Sequence, residues 1–216
     1  MKILVVGANG QIGKHLVTFL QQSEGMQAKA MIRNEQQADF FESKGAETVI
    51  VDLEQDIDPI ANAAKDVDAI VFTAGSGPHT GKDKTIMVDL DGAVKTIEAA
   101  KLANVKRFIM ISSFDTRRDA IQHAPASFAP YVAAKHYADD WLRRTDLDYT
   151  IIHPGGLTNE KGIGHVTVGE EVERGEIPRE DVARVIVNCL ENNATIGKEF
   201  QLITGSTPIN KAIDEL

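Results

Sequence analysis

A glycine-rich turn near the start of the chain restricts its fold more than any other feature. Gly7, Gly10 and Gly13 follow the apolar run Ile3-Leu4-Val5-Val6 and precede a stretch whose apolar residues recur at helical spacing. A continuous apolar run is typical of a strand buried on both faces of a parallel sheet. The glycines therefore lie at a strand-to-helix turn, which is the context that a dinucleotide-binding fingerprint requires.

Each glycine of this turn has its own predicted role. Gly7 permits the tight turn, Gly10 lets backbone approach a pyrophosphate, and Gly13 lets the helix pack close to the strand. The free N–H groups and the dipole of the helix start would then face the phosphates. The cofactor contacts predicted here are Gly7, Asn9, Gly10, Gln11, Ile12 and Gly13. The spacing G-x-x-G-x-x-G differs from the usual fingerprint, and a purely structural turn is the alternative interpretation.

Apolar strand-like runs alternate with helical patterns along the rest of the chain. This alternation indicates an α/β fold with one doubly wound parallel sheet. We expect a single NAD(P)-binding Rossmann domain over residues 1–216, with a long irregular segment at 115–130 and a small substrate-side insertion at 154–178. Ligands bind outside the carboxyl ends of the strands in such sheets, so site residues are expected in the loops at that edge.

Composition disfavours several kinds of partner. The formal net charge of −9 argues against non-specific binding to nucleic acid or to an anionic membrane. No apolar run approaches the roughly 18 residues of a membrane span, and a first strand from about Lys2 leaves no room for a signal peptide. Cys189 is the only cysteine and falls in an apolar helical pattern, which predicts a buried thiol. We therefore predict a cytoplasmic protein that acts on a small molecule.

The end of the second predicted strand indicates which cofactor is preferred. NAD-binding proteins carry an acid about 20 residues past the glycines, where it binds the ribose hydroxyls. This chain has Arg33 there, and a guanidinium can pair with a 2′-phosphate through two hydrogen bonds. The sequence thus predicts NADP rather than NAD, with a solvated surface arginine as the alternative. Asp52 and Leu53 end the third strand and are predicted to hold the adenine.

Two further features suggest acid–base chemistry. Tyr131 and Lys135 are four residues apart in a predicted helix, so they share one face. A nearby cation favours phenolate, which would lower the phenol pKa from about 10 and suit it to proton transfer. Ser112 and Ser113 end the fifth predicted strand, where a hydroxyl can hydrogen-bond a substrate carbonyl. A Y-x-x-x-K pair is common in sequences and alone indicates no function. This pair supports a catalytic role because of its predicted position at the ligand edge of the sheet.

The glycine turn, the Ser112-Ser113 strand end and the Tyr131-x-x-x-Lys135 pair together resemble the short-chain dehydrogenase/reductase superfamily. The likeness is strongest to its atypical branch, the NAD(P)-binding epimerase/dehydratase-like proteins and their NmrA-like relatives. This resemblance implies that Tyr131 is the catalytic acid/base and that Lys135 binds the nicotinamide ribose. It also implies that a serine polarises the substrate, and that the protein is a homodimer.

The resemblance extends along most of the chain. The further cofactor contacts that it implies are Asp52, Leu53, Ala74, Gly75, Ser76, Lys135 and Pro154. The segment 179–183 is similar to the D-V-A helix start of extended members of the superfamily. Two departures are visible: the part after His153 is shorter than the substrate domain of extended epimerases, and many relatives carry arginine in place of His153.

Three functional hypotheses follow. The first is an NADP-dependent oxidoreductase acting on a small carbonyl or alcohol, with Tyr131 exchanging the proton and Ser113 or Ser112 fixing the substrate oxygen. The second is a non-catalytic NADP-binding regulator or redox sensor, and the third is a sugar epimerase or dehydratase-like isomerase. The scattered histidines lack the spacing of metal ligands, so no metal is expected. His153 as a substrate contact and the 115–130 segment as a lid are open alternatives to packing and surface roles.

Overall fold

A mostly parallel sheet forms the centre of the molecule. The computed structural model describes residues 1–77 and 79–216. The strands are β1 (Lys2–Val6), β2 (Gln27–Ile32), β3 (Glu47–Ile50), β4 (Ala69–Phe72), β5 (Arg107–Ile111), β6 (Asp148–Pro154), β7 (Gly156–Thr158), β8 (His165–Gly169), β9 (Glu176–Pro178), β10 (Lys198–Thr204) and β11 (Thr207–Pro208). The main sheet has the order β11-β8-β10-β6-β5-β4-β1-β2-β3, and β7 pairs separately with β9.

Helices cover both faces of this sheet. They are α1 (Gln11–Gln22), α2 (Ala38–Glu42), α3 (Ile57–Ala64), α4 (Lys82–Lys84), α5 (Ala93–Leu102), α6 (Arg118–His123), α7 (Ala129–Arg143), α8 (Arg179–Glu191) and α9 (Ile209–Asp214). Short 3₁₀ turns occur at Glu35–Gln37 and Asn193–Thr195, and a π-helix at Thr85–Gly92 joins α4 to α5. None of the helices in residues 1–77 and 79–216 is long and apolar enough to cross a membrane.

The order of the first six strands confirms the predicted doubly wound fold. The run β3-β2-β1-β4-β5-β6 is parallel throughout and has the order typical of dinucleotide-binding sheets. β1 lies inside the sheet between β2 and β4, as the apolar run at its sequence position predicts. The carboxyl ends of β1, β4 and β5 therefore lie side by side at the edge where a ligand is expected.

Two hydrophobic cores explain why β1 reads as an uninterrupted apolar run. Ile3 and Val5 pack into the core on the side of α1 and α8, and Leu4 and Val6 pack into the core beneath α3, α5 and α7. All four side chains are fully buried. A strand covered on both faces has no solvent side, so it loses the alternation of a half-buried strand.

The helical pattern of residues 86–103 predicts a single helix between β4 and β5, and the structure departs from this prediction. The chain passes instead through the π-helix, which places the fully buried Asp89 inside the structure. π-helical turns are frequent at functional sites. The predicted irregular segment at 115–130 also differs, since it contains α6, and α7 begins at Ala129 with a proline in its first turn.

The C-terminal part of the sheet is antiparallel. β8 lies within the expected insertion at 154–178 but joins the main sheet, where it pairs antiparallel with β10 and β11. β7 and β9 each span three residues and β11 spans two. Strands this short carry too few residues for a period-two pattern, so the sequence does not predict them.

Candidate functional site

The turn between β1 and α1 is shaped by glycines that no other residue could replace without a clash. Gly7 has a φ of +82°, and a Cβ there would lie 2.6 Å from the Ala74 backbone. A Cβ on Gly13 would lie 2.5 Å from the carbonyl oxygens of Gly7 and Ala8. The turn thus packs against the β4 loop on one side and the first turn of α1 on the other. Gly10 immediately precedes α1. Because it has no side chain, nothing from this residue covers the free backbone N–H groups in the first turn of α1.

A cavity of about 320 Å³ opens above this turn, at the carboxyl ends of the first four strands. Nine of the predicted cofactor contacts line it: Gly7, Asn9, Gly10, Arg33, Asp52, Leu53, Ala74, Gly75 and Ser76. The other predicted contacts do not line it: Ile12 and Gly13 are buried in the first turn of α1, Gln11 is exposed, Lys135 is buried in α7 and Pro154 is buried at the end of β6. A pocket of this size can hold a cofactor-sized group.

The guanidinium of Arg33 lies at one end of the cavity and has no hydrogen-bond or ion-pair partner within residues 1–77 and 79–216. Arg33 is exposed at the end of β2, and its backbone N–H donates to the Gln37 side chain at 3.0 Å. Asp52 accepts the Glu54 backbone N–H at 3.0 Å, and the Glu54 carboxylate pairs with Lys84. The acids at this end are thus engaged in local contacts, whereas the Arg33 side chain can meet an anion.

Asp89 connects the cavity to the interior of the protein. One of its carboxylate oxygens accepts both the backbone N–H of Ser76 at 3.1 Å and the Ser76 hydroxyl at 2.6 Å. The other oxygen faces Lys135. Asp89 therefore fixes the β4 loop, which borders the cavity, to the π-helix and to α7.

Lys135 lies at the carboxyl ends of β4 and β5. Its ammonium donates to the carbonyl of Ile111, the last residue of β5, at 3.2 Å. It lies 5.8 Å from the ring centroid of Phe72, which ends β4, and 6.0 Å from that of Tyr131. The Tyr131 side chain is half-buried, and its ring lies 5.1 Å from that of Phe128. The Tyr131 ring and the Lys135 ammonium thus lie on one face of α7, near the carboxyl end of β5.

The two serines after β5 have different surroundings. Ser112 is buried, and its hydroxyl donates to the carboxylate of Asp139 at 2.6 Å. Ser113 is half-buried, and its backbone carbonyl accepts from His153 at 2.6 Å. The Ser112 proton is therefore already engaged, which leaves Ser113 as the hydroxyl better suited to a substrate oxygen.

Two buried acids in this region, Asp89 and Asp139, are not among the residues that the sequence predicts for the site. Burial raises the pKa of the Asp139 carboxyl, and the charge of His153 with the hydroxyl bonds of Ser112 and Thr116 partly offsets that effect. Asp139 follows Lys135 by four residues, so it lies on the same face of α7 as the Tyr–Lys pair. That spacing was the signal available in the sequence.

Other singled-out residues lie away from the cavity. His153 is buried, and its ring nitrogens contact Ser113 and Glu199 rather than open space. Cys189 is fully buried in α8, and burial raises the pKa of its thiol to about 12, so it is not a nucleophile. In the 115–130 segment, Arg117 is exposed and forms ion pairs with Asp115 and Glu171.

Comparison with known proteins agrees with this geometry. The sequence matches the family described as NAD(P)H-binding over residues 7–193. The Bacillus subtilis protein named as the uncharacterized sugar epimerase YhfK is 47% identical over 216 residues, and the match covers 100% of both chains.

Two solved structures are similar over the whole chain. A Bacillus halodurans protein described as an NAD-dependent epimerase/dehydratase has a TM-score of 0.94 at 44% identity, covering 100% of each chain. The oxidoreductase YlbE of Lactococcus lactis has a TM-score of 0.90 at 33% identity, covering 100% of this chain and 96% of its own. Together with the glycine turn and the cavity above it, these similarities show that the chain belongs to the NAD(P)H-binding Rossmann family, as its resemblance to atypical short-chain dehydrogenases predicts.

Proposed function

We propose that this protein is an NADP-dependent oxidoreductase that transfers hydride between the nicotinamide and a small carbonyl or alcohol substrate. The observation that carries this proposal is the buried Lys135, which lies beside Tyr131 at the end of β5. A buried ammonium has a large desolvation cost, so its retention beside a phenol favours a chemical role. The one buried cysteine and the acidic composition suit a reducing compartment, and we place the activity in the cytoplasm.

The residues around the cavity fit a dinucleotide. The Gly7–Gly13 turn offers backbone N–H groups with no side chain in the way, which suits a pyrophosphate. Asp52 and Leu53 border the adenine end of the cavity, and Arg33 would pair with a 2′-phosphate. The nicotinamide ring, when bound, supplies the hydride chemistry.

The chain itself would supply a proton and an orientation for the substrate. The Tyr131 phenol gives its proton to the substrate oxygen during reduction and takes it back during oxidation. Lys135 holds the ribose and provides a positive charge beside the phenol. The Ser113 hydroxyl donates to the same substrate oxygen and fixes its position. Ser112 supports this arrangement indirectly, because its hydroxyl donates to Asp139.

Two alternative functions belong to other classes. The epimerase names of the Bacillus subtilis and Bacillus halodurans relatives favour an isomerase with tightly held cofactor. A regulator that binds NADP without turnover would use the same cavity but would not need a buried lysine beside a tyrosine. The presence of Ser113, Tyr131 and Lys135 together at one edge supports the oxidoreductase. We also propose that the protein forms a homodimer.

The test begins with the nucleotide and proceeds to turnover. Mass spectrometry of the purified protein would identify any bound dinucleotide. A panel of small aldehydes and ketones would then be screened by NADPH absorbance, with Tyr131→Phe as the inactive variant. Tyr137→Phe is the matched control, because Tyr137 is exposed on the same helix and contacts Arg118. Tight NADPH binding without turnover of any carbonyl would favour the regulator, and interconversion of sugars would favour the isomerase.

A further inference from the structure

The loop that follows β5 is fixed by side chains from three different elements. Asp139 and His136 of α7, His153 of β6 and Gln201 of β10 all bond to residues 112–116. The bonds are Ser112 hydroxyl to Asp139 at 2.6 Å, His153 to the Ser113 carbonyl at 2.6 Å, Gln201 to the Phe114 carbonyl at 2.8 Å, Thr116 hydroxyl to Asp139 at 2.8 Å and His136 to the Thr116 carbonyl at 2.7 Å. Residues 112–116 thus take part in five hydrogen bonds with side chains of other elements, which is more than the formation of a turn requires.

His153 is distinguished from the other anchors by its charge. Its Nδ1 lies 2.6 Å from the Ser113 carbonyl oxygen, and its Nε2 lies 2.7 Å from a carboxylate oxygen of Glu199. A carbonyl oxygen and a carboxylate can only accept hydrogen bonds, so both ring nitrogens must donate. A ring that donates from both nitrogens is an imidazolium. His153 is thus a buried cation, with 3% of its surface exposed.

The charges around His153 stabilise this state. Burial opposes it, but the hydrogen bond to Glu199 and the charge of Asp139 outweigh burial and raise the pKa of His153 above its usual value. Arg143 holds the same Glu199 carboxylate through two bonds of 2.8 and 2.6 Å. The charged groups facing this cluster are Asp139 and Arg143 from α7, Asp115 and Arg117 from the β5 loop, and Glu170 and Glu171 from the segment after β8.

We infer that His153 is a positioning residue for the reaction: held between Glu199 and the Ser113 carbonyl, the imidazolium fixes the backbone of the serine that orients the substrate oxygen. The catalytic part of this inference rests on the proposed function, whereas the fixing of the loop does not. Loss of either ring proton removes one of the two hydrogen bonds. The sequence suggests His153 as a possible substrate contact. We infer instead that His153 contacts Ser113, the residue that would itself touch the substrate.

The fixing of the loop can be tested without turnover. Proton NMR titration of the histidine Cε1–H signals, assigned with His153→Asn, should show His153 as an imidazolium at pH 7. Amide exchange of residues 112–116 should speed up about tenfold in His153→Leu, which loses both bonds, and less in His153→Asn, whose amide can still donate to Ser113. His165→Asn is the control, since His165 is exposed and contacts Ile163. A neutral His153 at pH 7, or unchanged exchange in a folded His153→Asn and His153→Leu, would overturn the inference.

The catalytic part requires a substrate from the carbonyl screen. His153→Leu should lower kcat by about tenfold or more and leave the KM for NADPH within about twofold, because His153 lies outside the cofactor cavity. In a Ser113→Ala background the same substitution should have less than a twofold effect, since residues that act through one another are not additive. Independent, additive losses would overturn the positioning role. If His153→Leu fails to fold, His153→Asn carries the comparison with a smaller expected loss of kcat, because its amide can still donate to Ser113.

These two arms separate the two proposals. If no carbonyl is reduced, the oxidoreductase proposal fails, and the NMR and exchange measurements still decide whether His153 fixes the loop. If turnover is found but exchange is unchanged, the oxidoreductase proposal stands and the inference about His153 is wrong.

Discussion

The carboxylate of Asp89 and the ammonium of Lys135 lie 3.7 Å apart, and both side chains are almost entirely buried. The π-helix brings Asp89 to this position, and α7 brings Lys135. A buried charge is tolerated when a partner and hydrogen bonds compensate its lost hydration, and here the Ile111 carbonyl and the Ser76 donors supply those bonds. The pair is consequently sensitive to the loss of either member.

Removal of the Lys135 charge should destabilise the fold as well as the site. We expect Lys135→Met to lower the free energy of unfolding by about 3 kcal/mol, because Asp89 is left as an uncompensated buried charge. The double variant Lys135→Met/Asp89→Asn should recover much of this loss, since Asn can still accept from Ser76. Chemical denaturation measures both, and Lys101→Met is the control because Lys101 pairs with Glu98 at the surface. Equal stability of Lys135→Met and the wild type would show that the pair is not coupled.

Arg33 should set the preference between the two dinucleotides. We expect the wild type to bind NADPH more tightly than NADH, and Arg33→Asp to weaken NADPH binding by about 10- to 100-fold while NADH binding changes little. The reason is the loss of charged hydrogen bonds to the 2′-phosphate and their replacement by repulsion. Calorimetric titration measures both affinities, with Arg144→Asp, exposed just after the end of α7, as the control. Equal wild-type affinities for the two nucleotides would mean that Arg33 only contacts solvent.

Tyr131→Phe removes the phenol oxygen and little else. We expect kcat to fall by about 10²–10⁴, the usual contribution of general acid–base catalysis, with unchanged affinity for NADPH. Steady-state rates on a substrate from the screen, with fluorescence titration of NADPH, provide the measurement. Tyr137→Phe should retain full activity. A Tyr131→Phe variant with wild-type turnover would exclude the phenol from the mechanism.

The ion pair of His153 with Glu199 should make stability depend on pH. Burial works against the Glu199 charge, but the hydrogen bonds from His153 and Arg143 lower its pKa from 4.5 to about 2. A carboxyl whose pKa is lower in the folded state stabilises the fold above its unfolded pKa and loses this contribution as the pH falls toward the folded value. His153 has a raised pKa, so its contribution is complete below 6.5 and is lost as the pH rises through the folded value.

The joint contribution of this pair should therefore be largest between pH 4.5 and 6.5. We expect Glu199→Gln to be less stable than the wild type by about 2 kcal/mol in this window, a value reduced for partial exposure of Glu199, with the difference shrinking toward pH 2. Denaturation at a series of pH values provides the measurement, and Glu191→Gln, at the exposed end of α8, is the control. A stability difference between Glu199→Gln and the wild type that does not change with pH would contradict the assignment of opposite charges to Glu199 and His153.

The sequence predicts most of the sheet because its strands are buried on both faces. The run at Ile3–Val6 and the alternation of strands with helices need only local patterns to be recognised. The antiparallel addition of β8 to β10 could not be predicted, since it depends on contacts between residues more than 30 positions apart. The π-helix could not be predicted for a different reason: its hydrogen bonds join residues i and i+5, and a helical pattern read at period 3.6 does not show this change.

The candidate site was predictable to the extent that it follows from spacing. The glycine turn and the Tyr131–Lys135 pair are short-range patterns, and the structure brings them to one edge of the sheet. The distinction between Ser112 and Ser113 depends instead on Asp139 and His153, which come from α7 and β6. The residues around Ser112 and Ser113 in the sequence contain no pattern that would predict these partners.

The start of α8 has a consequence for how such a protein could change its specificity. Asp181 accepts the backbone N–H groups of Ile163 and Gly164, and Glu180 accepts that of Gly162. Both acids belong to α8, which packs against the sheet. They therefore hold the backbone of the chain between β7 and β8 next to this helix, and these hydrogen bonds do not depend on the side chains of that segment. We therefore expect that residues 159–161, between the end of β7 and this anchored stretch, can be replaced by segments of other length and composition, and new substrates explored, without disturbing the serine loop or the cofactor turn.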